Sequence, residues 1–208
     1  MINNREYCYD CNRAKISCLC GLIKPFNTNT KFIFLMHPKE FRKTKNNTGK
    51  ITHQSLLNSK IFVGIDFSHN KELNSLINDT NNACYVLYPG IDSINLSKSN
   101  IENKKQKVIF LIDSTWACSK KILKSSANLS SLPKISFNHE NSSAYVFKKQ
   151  PSNYCLSTIE STLVLLKLLN KHNIENIDKS SLDNFLIPFK QMVKFQVTKS
   201  LEKSIRYK

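Results

Sequence analysis

Four short, nearly uninterrupted apolar runs most constrain what this chain can fold into: Lys31–Met36, Ile61–Gly64, Cys84–Tyr88 and Lys107–Ile112. Runs of this length, rich in β-branched and aromatic residues and without alternation, suit strands buried on both faces. Lys134–Phe137 and Ala144–Phe147 are weaker runs and read as strands near an edge. Helical stretches fit between the runs, at about 50–58, 70–79 and 116–127, and the clearest helix runs from Ser157 to His172. There Ile159, Leu163, Leu166 and Leu169 follow one face. Strands that alternate with helices predict an α/β domain, a mostly parallel sheet flanked by helices. In such sheets ligands sit beyond the carboxyl ends of the strands.

Two flanking pieces complete the expected organisation: residues 1–28, residues 29–175 as the α/β domain, and residues 176–208 as a basic helical segment packed on it. The first piece holds Cys8, Cys11, Cys18 and Cys20 within thirteen residues. Four thiolates in a tetrahedron are what structural zinc prefers, and they leave no open position for catalysis. The Cys-x-Cys half is tighter than the usual gap, and unbound reduced thiols are the plainer alternative. Cys84, Cys118 and Cys155 stand apart and read as small core residues or bystanders. In the tail, Leu182, Phe185, Leu186, Phe189, Met192, Val193 and Val197 have helical spacing, with Pro188 set to kink the helix or start a second one. Lys190, Lys194, Lys199 and Lys203 line the other face, either solvated or laid against phosphates.

Thirty-one Lys and Arg against fifteen Asp and Glu leave a net charge of +16. Such a field favours polyanions. Abundant Lys, Asn and Ile also follow from AT-rich coding, so charge alone leaves a nucleic-acid partner open. No apolar run approaches a membrane span, and the first residues lack the apolar core of a signal peptide. A reducing, cytoplasmic setting is therefore expected, with metal binding favoured over disulfides for the clustered cysteines.

The residues with chemistry gather where strands end. His37-Pro38-Lys39-Glu40 follows the first run and reads equally as a plain turn. Asn47-Thr48-Gly49 leads into a helix, within a basic loop of Arg42, Lys43, Lys45 and Lys50. Tyr88-Pro89-Gly90 closes the third run as a turn, or as a stacking surface for a planar ligand. Asp113-Ser114-Thr115-Trp116 ends the most hydrophobic run; one of its first three residues can cap the next helix with Trp116 in the core. The alternative makes Asp113 a carboxylate at the mouth of a site and Trp116 the wall of a nucleoside pocket. Leu156-Ser157-Thr158-Ile159-Glu160 carries a capping box, whose helix N-terminus also offers N–H groups to an anion.

Together, and in this order, these pieces over residues 8–170 resemble the DTW-domain family of tRNA-uridine aminocarboxypropyltransferases. The family's Asp-x-Thr-Trp element stands here as Asp113 to Trp116, with Ser114 where Gly is frequent. The family is in turn similar to the SPOUT class of RNA-modifying enzymes, so the resemblance implies a SPOUT-like fold and allows for a knot. It further implies S-adenosylmethionine as co-substrate, tRNA as partner and structural zinc on Cys8, Cys11, Cys18 and Cys20. Under it, Asp113 is the catalytic group. Tyr88, Pro89, Ser114, Thr115, Trp116, Ser157, Thr158 and Glu160 hold the cofactor. His37, Arg42, Lys43, Lys45, Lys50, Lys120 and Lys121 meet the tRNA. Two rival readings stay open: a SPOUT-type RNA methyltransferase, and a non-catalytic zinc-containing RNA-binding module.

Overall fold

The computed structural model describes residues 6–11, 13–43, 46–101, 104–139, 143 and 156–206. The expected strand at Ala144–Phe147, together with Lys45 and Cys155, lies outside the described residues. The four strong runs form β1 (Lys31–Met36), β2 (Ser59–Val63), β3 (Asn82–Leu87) and β5 (Gln106–Asp113). Two short strands, β4 (Ile94–Asn95) and β6 (Lys134–Ser136), extend one edge. All six join one sheet in the order β2-β1-β5-β3-β6-β4, and every neighbouring pair is parallel.

Because strand side chains alternate between faces, β1 feeds two cores. Phe32 and Phe34 face a layer built by α2 (Thr48–Ser55), α6 (Thr158–Lys171), α7 (Lys179–Asn184) and α8 (Ile187–Arg206). Ile33 and Leu35 face the opposite layer, from α3 (Lys71–Asn78), α4 (Trp116–Ser125) and α5 (Ala127–Ser130). Both layers cover the central strands, which explains their unbroken hydrophobicity. Leu19, between Cys18 and Cys20, is buried in the first core, and the short 3-10 turn Cys20–Leu22 packs on α8.

Three local outcomes differ from the sequence expectations or decide between them. The helix expected to reach residue 58 ends at Ser55, because Leu56 leaves it to form a parallel bridge with Phe26. The segment after His37 is more than a turn, since Pro38, preset for a first helical position, opens α1 (Pro38–Lys43). Pro188 starts a separate helix within the tail rather than kinking one. No helix among the described residues is long and apolar enough to cross a membrane.

Candidate functional site at the carboxyl edge of the sheet

β1 and β5 are adjacent, yet the chain leaves them toward opposite faces, β1 into α2 and β5 into α4. Divergence of two neighbouring loops opens a crevice beyond the strand ends, the usual ligand position in an open parallel sheet. Met36 and Asp113 are register partners at that edge, and the His37 N–H donates to the Asp113 carbonyl at 3.2 Å. The strand ending in Asp113 thus places a carboxylate at the edge where such a crevice lies in open parallel sheets.

Asp113 is 4% exposed. Its Oδ1 accepts from the Thr158 hydroxyl at 2.6 Å and its Oδ2 from the Asn47 amide at 2.6 Å. One carboxylate therefore ties the end of β5 to the first turns of α6 and α2. Asn47 also caps α2, its Oδ1 accepting from the Lys50 N–H at 2.7 Å. Gly49 completes the fit: a Cβ there would stand 2.8 Å from the Asp113 Cγ and 3.2 Å from the Met36 methyl. Asn47-Thr48-Gly49 is thus a seat for a carboxylate as well as a helix start.

On the other side of Asp113, Thr115 caps α4 through its hydroxyl, which accepts from the Cys118 N–H at 3.4 Å. Ser114 and Ser119 share a hydroxyl pair at 2.8 Å. Trp116 is 39% exposed instead of buried in the core, and its ring lies 6.1 Å from that of Tyr88 at a 58° tilt. The two aromatics follow the ends of β3 and β5 and form an apolar surface at the same edge of the sheet, on the α4 side. Burial pushes the Tyr88 phenol above its ordinary range. At α6 the capping box is present: Glu160 accepts from the Ser157 N–H at 2.8 Å and the Ser143 hydroxyl at 2.6 Å.

The basic residues divide. Lys50 is half-buried, donates to the Phe41 carbonyl at 2.8 Å and sits 4.2 Å above the Phe41 ring. Burial pushes its ammonium pKa down, repulsion from Arg13 adds to that, and the Asp113 charge opposes both. Arg13 thereby enters the neighbourhood of the site from the cysteine-bearing segment, which the sequence did not signal. Arg42, Lys120 and Lys121 are exposed, the last two on α4. His37 is buried, its Nδ1 accepting from the Lys39 N–H at 3.1 Å, which turns it away from a surface role.

The four N-terminal sulfurs all lie within 4.8 Å of one another and could hold a metal ion. Cys8–Cys20 and Cys11–Cys18 are each separated by 3.8 Å. A tetrahedron with zinc–sulfur bonds of about 2.3 Å has edges of about 3.8 Å, so the donor set fits such an ion despite the short Cys-x-Cys half. A hydrogen bond from the Cys11 backbone brings Cys8 down to about 7, whereas burial pushes Cys20 up. A cation would be needed for all four to ionise together.

The family model for the DTW domain matches residues 5–197. The chain belongs to the DTW domain family. Among the curated proteins, it is 28% identical over 174 residues to a tRNA-uridine aminocarboxypropyltransferase 2 of Macaca fascicularis and 29% over 175 residues to that of Mus musculus. Each alignment covers 81% of this chain and 58% of the relative. The Drosophila melanogaster protein of the same name is 27% identical over 174 residues, covering 80% of this chain and 68% of its own length. The chain thus spans well under two thirds of the two mammalian relatives. No solved structure matches.

Seen as a DTW domain, the eponymous element does two jobs: its Asp113 joins three segments, and its Thr115 and Trp116 start α4 with the indole outward. Of the predicted site residues, Asp113, Thr158, Tyr88 and Trp116 gather at one edge of the sheet. Ser157 and Glu160 lie in the α6 cap beside them. Pro89 is exposed at the end of β3. The contributions of Asn47 and Gly49 were present in the sequence as a short motif, but their common target, Asp113, lies 66 residues from Asn47.

Proposed function

We propose that this protein transfers the 3-amino-3-carboxypropyl group of S-adenosylmethionine to a base nitrogen of a uridine in tRNA, releasing methylthioadenosine. The observation that carries this reading is the carboxylate of the Asp-x-Thr-Trp element, buried and held by two donors at the carboxyl edge of the sheet, with an aromatic pair at the same edge. Membership of the DTW family and the names of the relatives support it. In the transfer, a bond forms between the uridine nitrogen and the methylene carbon next to sulfur. The carbon–sulfur bond breaks, its electron pair neutralises the sulfonium, and the ring proton leaves to solvent. The enzyme's work is alignment: a donor held with this methylene, rather than the methyl, facing the base.

Asp113 is the catalytic residue of this proposal. Both its oxygens already accept hydrogen bonds. That arrangement favours a fixed negative charge that receives the donor's ammonium over a group that shuttles protons. Tyr88, Pro89 and Trp116 pack the nucleoside, and Ser114, Thr115 and the Ser157–Glu160 turn offer polar contacts to the amino acid end. Arg42, Lys43, Lys45, Lys50, Lys120 and Lys121 form the tRNA side. Cys8, Cys11, Cys18 and Cys20 hold structural zinc, which supplies a crosslink and no chemistry.

Incubation of the purified protein with S-adenosylmethionine and unmodified tRNA, followed by mass spectrometry, tests this. Methylthioadenosine with an aminocarboxypropyl gain on uridine is the expected result. S-adenosylhomocysteine would point to methyl transfer, and RNA binding without any product would point to a binding module. Asp113→Asn keeps the size of the side chain but removes its charge. Product formation by this variant is expected to fall by on the order of 100-fold or more, with a native circular dichroism spectrum; near-normal turnover would remove Asp113 from the mechanism.

A further inference from the structure

Asn47 is 2% exposed and uses both ends of one amide. Its oxygen accepts from the Lys50 N–H at 2.7 Å, and its nitrogen donates to the Asp113 Oδ2 at 2.6 Å. Few side chains can do both. Asp caps a helix well but brings a second carboxylate against the first; Ser caps but is too short to donate across to Asp113; Gln lacks the capping geometry. We propose that Asn47 is a positioning residue for the transfer, fixing the Asp113 carboxylate relative to α2 while Thr158 fixes it relative to α6. This rests on the catalytic role proposed for Asp113.

The consequence is geometric. Asp113 leaves the end of a strand whose backbone is held by β1 and β3, and the donors on Asn47 and Thr158 are among the contacts that fix its side-chain torsions. With one donor gone, the carboxylate can rotate, and a charge displaced by about an ångström loses most of its alignment with a bound donor. Among the described residues, the charged group that meets this position is Asp113 from β5; Lys50 of α2 meets it through its backbone N–H and His37 reaches Asp113 through its own, while the Lys50 ammonium feels Arg13 and Asp113. α6 contributes Thr158, while its Glu160 is turned to Ser157 and Ser143.

The test compares turnover of Asn47→Asp and Asn47→Ser with the unaltered protein across about pH 4 to 9, a window that spans the upper titration of shared-proton carboxyl pairs and that of deeply buried carboxyls. A protonated Asp at 47 can donate to Asp113 as the amide does; an ionised one cannot. The ratio of Asn47→Asp to unaltered turnover is expected to fall on the order of 100-fold as pH rises. Asn47→Ser, which keeps the cap but never donates, should be low at every pH. A pH-independent ratio in Asn47→Asp, or near-normal turnover in Asn47→Ser, would overturn the proposal. The exchange variant Asn47→Asp with Asp113→Asn guards against misfolding. It should recover the unfolding midpoint, because the amide–carboxylate pair is restored, but not turnover, because the charge has moved; failure to recover the midpoint would also count against the pair. If the unaltered protein makes no product, the functional reading fails by itself. The midpoint of Asn47→Asp then decides the clamp, which requires it to drop with rising pH more than that of the unaltered protein.

Discussion

At the scale of single residues, the site is held by contacts too close for substitution. Gly49 has no room for a methyl beside Asp113 and Met36. Gly49→Ala removes a helix-unfriendly glycine, which alone would stabilise α2. The collision outweighs that gain, and the variant is expected to lose about 1–3 kcal/mol in urea unfolding. A second residue reports on burial. Cys84 is pushed up to about 11, first by burial and then by the Asp79 charge. Its proton is held more tightly in the folded chain, so the linked stability is intact below the ordinary thiol pKa and is lost as pH rises through the folded value. The unaltered protein should therefore lose stability between about pH 9 and 11 more steeply than Cys84→Val, when both are followed by denaturant unfolding at each pH. The sequence made Asp113, Tyr88, Trp116 and Thr158 visible because each ends a strand or starts a helix. It hid the pairing of Asn47 with Asp113 and the approach of Arg13 to Lys50, since both depend on which strands and turns become neighbours.

Elements were legible in proportion to their length. β1, β3 and β5 have six or more residues each and announced themselves by unbroken apolarity. β4 has two residues, half-buried at the sheet edge, and carries no periodicity to detect. The order of strands was out of reach as well, because an apolar run states that it is buried and not against what. Caps were the reliable punctuation. Asn70 accepts from the Leu73 N–H at 3.0 Å and starts α3 one residue from where the pattern placed it. Asn70→Ala should cost about 1 kcal/mol in thermal or urea unfolding while leaving turnover unchanged, since the Asn70 hydrogen bonds run to Phe67, Leu73 and Asn74 and to no candidate site residue.

At the scale of the whole molecule, the cysteine-bearing segment is part of the core. Leu19 is buried with Phe32 and Phe34 of β1, and its neighbouring turn packs on α8. Under the zinc assignment proposed above, removal of the ion should thus be felt far beyond four side chains. A strong chelator is expected to lower the melting temperature and to expose four additional thiols to a colorimetric reagent; unchanged melting with full thiol release would confine the ion to a local role. The α/β class followed from residues alone, whereas the place of the site did not. Its position depends on β1 and β5 lying side by side with their loops diverging, a property of the assembled sheet.

That same strand order has a temporal meaning. During synthesis β1 can pair at once with β2, but its other edge must wait for β5, roughly 75 residues further along, or some 4–15 s at ordinary translation rates. Through that interval the nascent chain presents the bare backbone edge of a strand with five apolar residues out of six. The ribosome-bound intermediate is therefore a form of this protein open to mispairing along that edge.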